Sequence, residues 1–584
     1  MDRGGRPVLK PEPVPGTAPD SGGGLAAGTR GFSFGGKTLL SGVNPEGAAE
    51  RVAETVEITN RTLYLCPSPL YGYGLGRLLA RLAETADSAV LCVEAEPELF
   101  ALSLKSFGAA LKTGDGLLLT DRVDAGELCA LVRRKWGSRA FAAVRTVRLN
   151  GGWQLHRELY DALARTLQRE VALDWGNAIT LTKLGRRYVR NAFRNLALIP
   201  RARSLDDAAG ALSFGDKPVL VLGAGPSLDG TLDAFSAGFG RAPFCPETRP
   251  FRVVCVDTCL PALKARGIRP DLAVVLESQH WNLEDFVGLS GWEVPAAMDV
   301  SALPRSGGVL AGGLFLFFTP WTRLRVFERL RAGGLLPRAV PPLGSVGLSA
   351  VAAALRLTRG AVVAAGLDFS FGPDLFHARS SPGHAAALRR QNRFTGLFNA
   401  GAFFDGTVSA AVSKTGGRVF SNHALKKYRD LFEREFAAVS GNVPGGRLFD
   451  VADGGLPLGL KTLSSAQAVE LLSGGGSAGD TARGETAASG SPPPVEKLKA
   501  FALDEQNRLS SLRDMLAGKT KGDRETLETL IDECDYLWAH FPDYAAAGRR
   551  PSGAELEAGT PKAVSFLKRL RVEIDPFLAL LARL

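Results

Sequence analysis

The sequence predicts an α/β protein whose central part, residues 210–450, folds as a doubly wound, mostly parallel sheet. Three observations predict it. Apolar runs of strand length recur at 217–222 (KPVLVL), 252–256 (RVVCV), 272–276 (LAVVL) and 361–365 (AVVAA). Helix-like stretches such as 259–266 and 345–357 separate them, and strand–helix alternation of this kind builds parallel sheets with helices on both faces. Glycine or an acid follows each strand: GAGPS at 223–227, then Asp257, Glu277 and Gly366-Leu367-Asp368. Open α/β sheets bind ligands at such positions, beyond the carboxyl ends of strands.

In chain order, residues 1–35 are rich in Gly and Pro and read as a disordered lead-in; they lack the apolar core of a signal peptide. Residues 50–200 read as an N-terminal Rossmann-like α/β domain. A strand at 62–67 (TLYLCP) runs into Gly72, Gly74 and Gly76, a helix-like stretch follows at 77–84, and a strand at 89–93 (AVLCV) ends in Glu94 and Glu96. Strand, glycine loop, helix, strand and acid outline a nucleotide-binding βαβ unit. The outline also fits an S-adenosylmethionine site with Glu94 or Glu96 on the ribose, or a scaffold without a cofactor. Helices are predicted at 155–171 and 177–199. The central domain adds strands near 294–298 and 314–318 and an amphipathic helix at 423–438. Residues 473–494 (SGGGSAGDTARGETAASGSPPP) have linker composition. Residues 495–584 show helical periodicity without a strand signal, a C-terminal helical region.

The 584 residues suffice for about three domains. The 70 Lys and Arg outnumber the 60 Asp and Glu, a formal net charge of +10. Arg far outnumbers Lys and is scattered, which reads as compositional bias, and no basic run, zinc-finger or RNP pattern points to nucleic acid. No run of about 18 apolar residues predicts a membrane span. Seven cysteines, an odd number without framework spacing, read as free thiols of a reducing cytoplasm.

The residues that could carry chemistry fall in the central domain. Gly223-Ala224-Gly225-Pro226-Ser227 stands between a strand and a helix, where backbone N–H groups and the helix dipole can hold a phosphate. Glycine admits a ligand close to the backbone, Pro226 suits a first helical turn, and Ser227 adds a hydroxyl. The same residues could form a structural turn, and with no Lys after them they are not a Walker A loop. Asp257 and Thr258 could grip a ribose or poise a hydroxyl, or cap the next helix. Ser345 and Gly347 open the helix at 348–357 as a cap or as a second anion contact. Gly366 and Asp368 close the following strand as active-site residues or as a turn. Glu277 is a second acidic candidate, and Pro270-Asp271 shapes a turn. His280, His377, His384 and His423 lie in this domain; His377 and His423 are the better candidates for a general base.

The runs VLVLGAGPSLDG (219–230), VVCVDTCLPALKARGIRPDLAVVLE (253–277) and LGSVGLSAVAAALRLTRGAVVAAGLDFSFGPDLFHA (343–378) resemble the motility-associated factor (Maf) glycosyltransferase family. The central domain of that family is shared with the MptE-like 6-hydroxymethylpterin pyrophosphokinases. The glycine loop at 72–76 before VEAEPELF, and NAITLTKLGRRYVRNAFRNL at 177–196, resemble the family's earlier segments, so the resemblance spans about 60–450. The central pattern is also similar to bacterial sialyltransferases that use a CMP-sugar. The resemblance implies a sialyltransferase-like domain in which Gly223, Gly225, Pro226 and Ser227 touch CMP, Ser345 and Gly347 lie near its phosphate or cytosine, and Asp368 lies in the site. His423, in SNHALKKYRDLFE, would supply the base. Ala224 stands where the sialyltransferases place Asn, and Glu277 where the Maf family more often has Asp.

The resemblance further implies transfer of a nonulosonic acid, pseudaminic or legionaminic, from a CMP-sugar to Ser/Thr hydroxyls of flagellin in the cytoplasm. Such a transfer needs no metal if the helix N-terminus and hydroxyls hold the monophosphate. Two readings stand beside it. One is an MptE-like pyrophosphokinase using ATP and Mg²⁺, with Asp257, Asp271 and Glu277 as the carboxylates. The other is a non-catalytic binding or scaffold protein, for which Ala224 and Glu277 are the supporting departures.

Overall fold

The computed structural model describes residues 32–584 apart from 85–86, 114–115, 138–139, 240–245, 247, 380, 395, 398–405, 475–493, 521–522 and 546–549. The described chain therefore begins inside the 1–35 lead-in, and the linker read at 473–494 lies almost wholly outside the described residues. Contacts gather the chain into two compact units, one running to Leu184 with Trp538–Gly559, the other Gly185–Leu537 with Thr560–Leu584.

The first unit holds a hairpin, β1 (Phe32–Phe34) with β2 (Lys37–Leu40), and a parallel sheet of β3 (Thr62–Pro67), β4 (Ala89–Val93), β5 (Leu117–Thr120) and β6 (Ala143–Thr146) in the order β5-β4-β3-β6. Every residue of β3 and β4 is buried, which is why both read as unbroken apolar runs. The helices predicted at 155–171 and 177–199 are one helix, Arg157–Leu196. Gly176 lies at the predicted break, but one interior glycine costs a helix only about 1 kcal/mol, too little to end a helix of 40 residues.

The second unit is built on nine parallel strands: β7 (Arg203–Ser204), β8 (Val219–Leu222), β9 (Arg252–Val256), β10 (Leu272–Val275), β11 (Ala296–Asp299), β12 (Leu314–Phe317) and β13 (Val362–Ala365), and, beyond the hairpin β14 (Ser409–Val412) and β15 (Arg418–Ser421), β16 (Leu448–Val451) and β17 (Lys461–Leu463). Their order is β17-β16-β13-β8-β9-β10-β11-β12-β7. From β8 the chain steps outward through β9, β10, β11 and β12, then crosses back to β13 on the other side of β8 and continues to β16 and β17. Right-handed crossovers in opposite directions put their helices on opposite faces. The helix Val346–Leu357 packs over β8, β9, β10 and β13, while Leu228–Phe239 packs with Ser465–Ser473. The reversal between β8 and β13 is the topological switch point of a doubly wound sheet, where a crevice for ligand opens beyond the carboxyl ends.

The helices Val495–Leu516 and Pro561–Leu581 pack together in this unit. Arg329, on the helix Arg325–Ala332, grips the buried Glu505 at 2.8 Å, and the Tyr536 hydroxyl donates to the same carboxylate at 2.8 Å. No described helix is long and apolar enough to cross a membrane. The six described cysteines are free and buried.

Candidate functional site

At the switch point β8 runs into Gly223–Ser227 and β13 into Gly366–Phe369. The two chains stay bonded past the strand ends: the Gly223 N–H donates to the Ala365 carbonyl and the Gly225 N–H to the Gly366 carbonyl, both at 2.8 Å. A Cβ at Gly223 would lie 2.4 Å from the Gly366 carbonyl oxygen, and one at Gly225 2.4 Å from Cγ of Asp368. The close approach that the sequence assigns to a ligand is thus made by the neighbouring loop. Ser227, just before the helix Leu228–Phe239, donates its N–H to Asp368 Oδ2 at 2.7 Å and its hydroxyl to Oδ1 at 2.5 Å. The N–H read from the sequence as a phosphate donor is therefore held by a carboxylate, an anion suited to the same helix end.

Asp368 is one end of a buried charged chain. Burial, then the Asp453 carboxylate, push its pKa up to about 7 against the Ser227 donors and Lys414. The Lys414 ammonium lies 2.9 Å from Asp450 Oδ1 and 2.5 Å from Asp453 Oδ1, with all three side chains at most 2% exposed. Burial disfavours that ammonium, but the two aspartates outweigh it and raise its pKa. Asp453 also accepts the N–H of Gly366 at 3.0 Å and of Gly455 at 3.2 Å. Burial lifts Asp450 to about 7 despite Lys414, and its Oδ2 is buried with no hydrogen-bond partner among the described residues. Lys414 comes from the turn between β14 and β15. Its N–H donates to the Gly455 carbonyl, Ser421 Oγ donates to the Phe369 carbonyl, and Phe371 and Phe420 exchange backbone bonds. Phe369 holds φ at +47°, costly for a bulky residue, with Phe432 packed at 6.1 Å. Sequence reasoning misses Lys414, Asp450 and Asp453. The available signal was FDVADGG at 449–455, an apolar strand ending in acids and glycines as GLDF does.

One strand along, Asp257 leaves β9 fully buried. It accepts the Thr258 N–H at 3.0 Å and the Asn282 side-chain amide at 2.7 Å. That amide also reaches Asp285 Oδ2 at 3.1 Å, and the Asn282 oxygen takes the Ser306 hydroxyl at 2.9 Å. Burial, opposed by Asn282, lifts Asp257 to about 6, and burial followed by Asp257 lifts Asp285 to about 7. Asp285 and Asn282 are further residues the sequence does not reveal. Glu277, exposed after β10, accepts the Gln279 N–H at 2.8 Å. From the helix Arg157–Leu196, Asn191 and Asn195 donate to the carbonyls of Ser278, Val300, Ser301 and Ala302, tying that helix over the ends of β10 and β11.

Other candidates stand apart from these clusters. Asp271 precedes β10 and so sits at the amino edge of a parallel sheet, the opposite end from Asp257 and Glu277. There it pairs with the buried Arg249, lies 3.3 Å from Arg252, and takes the Val253 N–H at 2.7 Å. The triad Asp257, Asp271 and Glu277 therefore does not assemble, and a magnesium ion does not fit it. No cluster of three or more His, Cys, Asp or Glu among the described residues is arranged for a metal. Ser345 opens the helix Val346–Leu357 without capping it, but Gly347 lies against Leu367, since a Cβ there would meet Leu367 Cδ2 at 2.7 Å. That helix start adjoins the Asp368 loop. His377 is half-buried edge-on to Phe376, and burial pushes its pKa down. The neighbouring Ala378 N–H donates to the Ala224 carbonyl at 2.9 Å, which brings His377 beside the glycine loop. His423 is exposed at the first turn of the helix His423–Phe436.

In the N-terminal glycine loop the close approaches at Gly72 and Gly74 are made by the protein itself, while Gly76 has open space beside it. A Cβ at Gly72 would meet Phe107 at 2.7 Å and one at Gly74 the Ala49 carbonyl at 2.7 Å. The Ser68 hydroxyl donates to Glu94 at 2.7 Å, and His156 lies 2.5 Å from Glu96. Phe32, Phe34, Leu39 and Leu40 of the β1–β2 hairpin pack on Leu70, Tyr71 and Tyr73 after β3 and on Leu99 after β4.

The fold and site define an open α/β protein with a polar cluster gathered at the switch point of its larger sheet. Residues 190–374 match the family model described as 6-hydroxymethylpterin diphosphokinase MptE-like. The chain is 28% identical over 561 residues to an uncharacterised protein of Treponema pallidum (strain Nichols), covering 94% of this chain and 92% of that one. The structure of a Maf glycosyltransferase from Magnetospirillum magneticum AMB-1 matches with a TM-score of 0.53 at 15% identity, over 100% of this chain and 92% of that one. The resemblance read from the sequence holds: residues 190–374 of the central region are MptE-like, and the chain has the fold of that Maf protein.

Proposed function

We propose that the chain is a glycosyltransferase of the Maf kind, drawing its sugar from a nucleotide-activated donor at the β8–β13 switch point. The observation that carries this reading is the match to a Maf glycosyltransferase along the whole chain, with hydroxyl, amide and carboxyl groups gathered where an open sheet takes its ligand. Ser227 at the helix start would face the donor phosphate, where oriented N–H and O–H groups stabilise the charge of a departing nucleotide. Asp257, raised to about 6, is poised to take a proton from an acceptor hydroxyl near neutral pH, and His377, beside the same loop, is the second candidate. In its finer form the proposal has CMP as the nucleotide, a pseudaminic- or legionaminic-type sugar, and Ser/Thr of flagellin as acceptor.

The family-model match favours a second reading, a pyrophosphokinase acting on a hydroxymethyl pterin. It ranks below the first because the carboxylates read as its magnesium ligands lie at opposite ends of the sheet. Thermal-shift titration with CMP, CTP, ATP plus Mg²⁺, and S-adenosylmethionine separates the readings. Stabilisation by CMP with loss of transfer in Ser227→Ala supports the transferase. Stabilisation only by ATP with Mg²⁺ supports the kinase, and silence to all four leaves a scaffold.

A further inference from the structure

Resting on that transferase reading, we propose that the donor's phosphate binds by displacing the Asp368 carboxylate from Ser227, and that the freed carboxyl takes up a proton, so nucleotide binding is proton-linked. The geometry leads there in three steps. The N–H and hydroxyl of Ser227, the donors best placed for a phosphate at this helix start, both point at Asp368. A phosphate and a carboxylate cannot share those two donors without placing two anions in contact. The groups around Asp368 cannot neutralise it: Gly455 packs on its backbone, and the charges facing it are Asp453, Asp450 and Lys414, one cation for three carboxylates. Lys414 already serves Asp450 and Asp453.

Proton affinity follows from the same contacts. The Ser227 donors hold the Asp368 pKa down, and burial and Asp453 hold it up, with the balance at about 7. Losing the donors and gaining a neighbouring phosphate both move it further up. Above pH 7, then, free protein carries Asp368 mostly ionised and bound protein carries it protonated. Linkage requires each binding event to consume up to one proton, and the dissociation constant to rise as pH rises, approaching about tenfold per pH unit.

The test is calorimetric titration of CMP into the full chain at pH 8 in Tris and in HEPES, whose ionisation enthalpies differ, with the dissociation constant followed from pH 7 to 9. The expected result is uptake approaching one proton per CMP and a rising dissociation constant. In Asp368→Asn, whose amide cannot titrate, the uptake and the pH slope should both vanish while CMP still binds. Binding by the wild type without proton uptake, or an unchanged slope in Asp368→Asn, overturns the inference and leaves the transferase reading standing. Failure of CMP and of inorganic phosphate to bind at all removes the reading of the site and this inference together. The wild-type measurement decides the matter even if Asp368→Asn does not fold.

Discussion

Replacing Gly225 by Ala tests whether the glycine loop is shaped for a ligand or for its neighbour. The φ of Gly225 is not left-handed, so alanine meets no backbone strain, only crowding. Its Cβ would stand 2.4 Å from Asp368 Cγ, 2.6 Å from Oδ2 and 2.7 Å from the Gly366 carbonyl oxygen. Carbon contacts relax at about 3.5–4.0 Å, so the carboxylate must move by about 1 Å and release Ser227. Overpacking of this kind costs about 1–3 kcal/mol, and hydrogen bonds to a charged group contribute about 1.5–3 kcal/mol each. With partial relaxation, about 3–5 kcal/mol of destabilisation is expected. Gly230 is the internal control. It lies in the helix Leu228–Phe239 that follows the loop, with nothing within 4 Å of an added Cβ, so Gly230→Ala should stabilise by about 0.5–1 kcal/mol. Urea unfolding followed by circular dichroism reads both. Gly225→Ala at wild-type stability, with only nucleotide binding lost, would refute the packing account and return the glycine to a ligand.

Three further outcomes follow from the buried charges. Lys414→Met strips the cation from Asp450 and Asp453 and should cost about 3–5 kcal/mol, the usual penalty for breaking a buried pair; a change under about 1 kcal/mol in urea unfolding would show that protons already neutralise the pair. Asp271→Ala removes the carboxylate shared by Arg249 and Arg252 and should destabilise the fold while leaving any Mg²⁺ dependence of activity as in the wild type; loss of metal dependence in a stable variant would restore Asp271 to the site. Asp257, Asp285, Asp368 and Asp450 have folded pKa values raised to about 6–7, so between pH 4 and 7 the folded state binds more protons than the unfolded chain. Their contribution to stability is full at the acid end of that window and lost as pH rises through it. The melting temperature should therefore fall more steeply from pH 5 to 8 in the wild type than in Asp450→Asn, and equal slopes would count against the buried proton.

Much of the larger sheet is legible because β8, β9, β10 and β13 are buried on nearly every residue and stand out as apolar runs. Their loops, and so Ser227, Asp257 and Asp368, come with them. β6 and β7 carry exposed or half-exposed positions, leaving no contrast with loops. β16 (LFDV) carries an aspartate at its third position, which breaks the apolar run; overlooking it hides Asp450 and Asp453. Lys414 is illegible for another reason. A lysine in a turn between two weak strands reads as solvated, and only the fold of the hairpin onto β16 buries it.

The misplaced Asp271 and the well-placed Asp257 differ by one feature that the sequence does contain. In a parallel sheet all strands point one way, so a residue just before a strand lies at the amino edge and one just after it at the carboxyl edge. Asp271 precedes LAVV and Asp257 follows RVVCV, which separates them by the length of a strand whatever the intervening helix does. The same rule places Glu94, Asp257, Glu277, Asp299 and Asp368 on carboxyl edges, but it does not say which of them serves a ligand. Asp299 takes two N–H and two hydroxyl donors from Ser301 and Thr319, and its bonds are spent on the turn. Glu94 is covered by Ser68 and Tyr160. Among these edges Asp368 is the one bonded to the residue just before the helix Leu228–Phe239 at a reversal of strand order, so chain topology, more than residue type, is what marks it as the candidate.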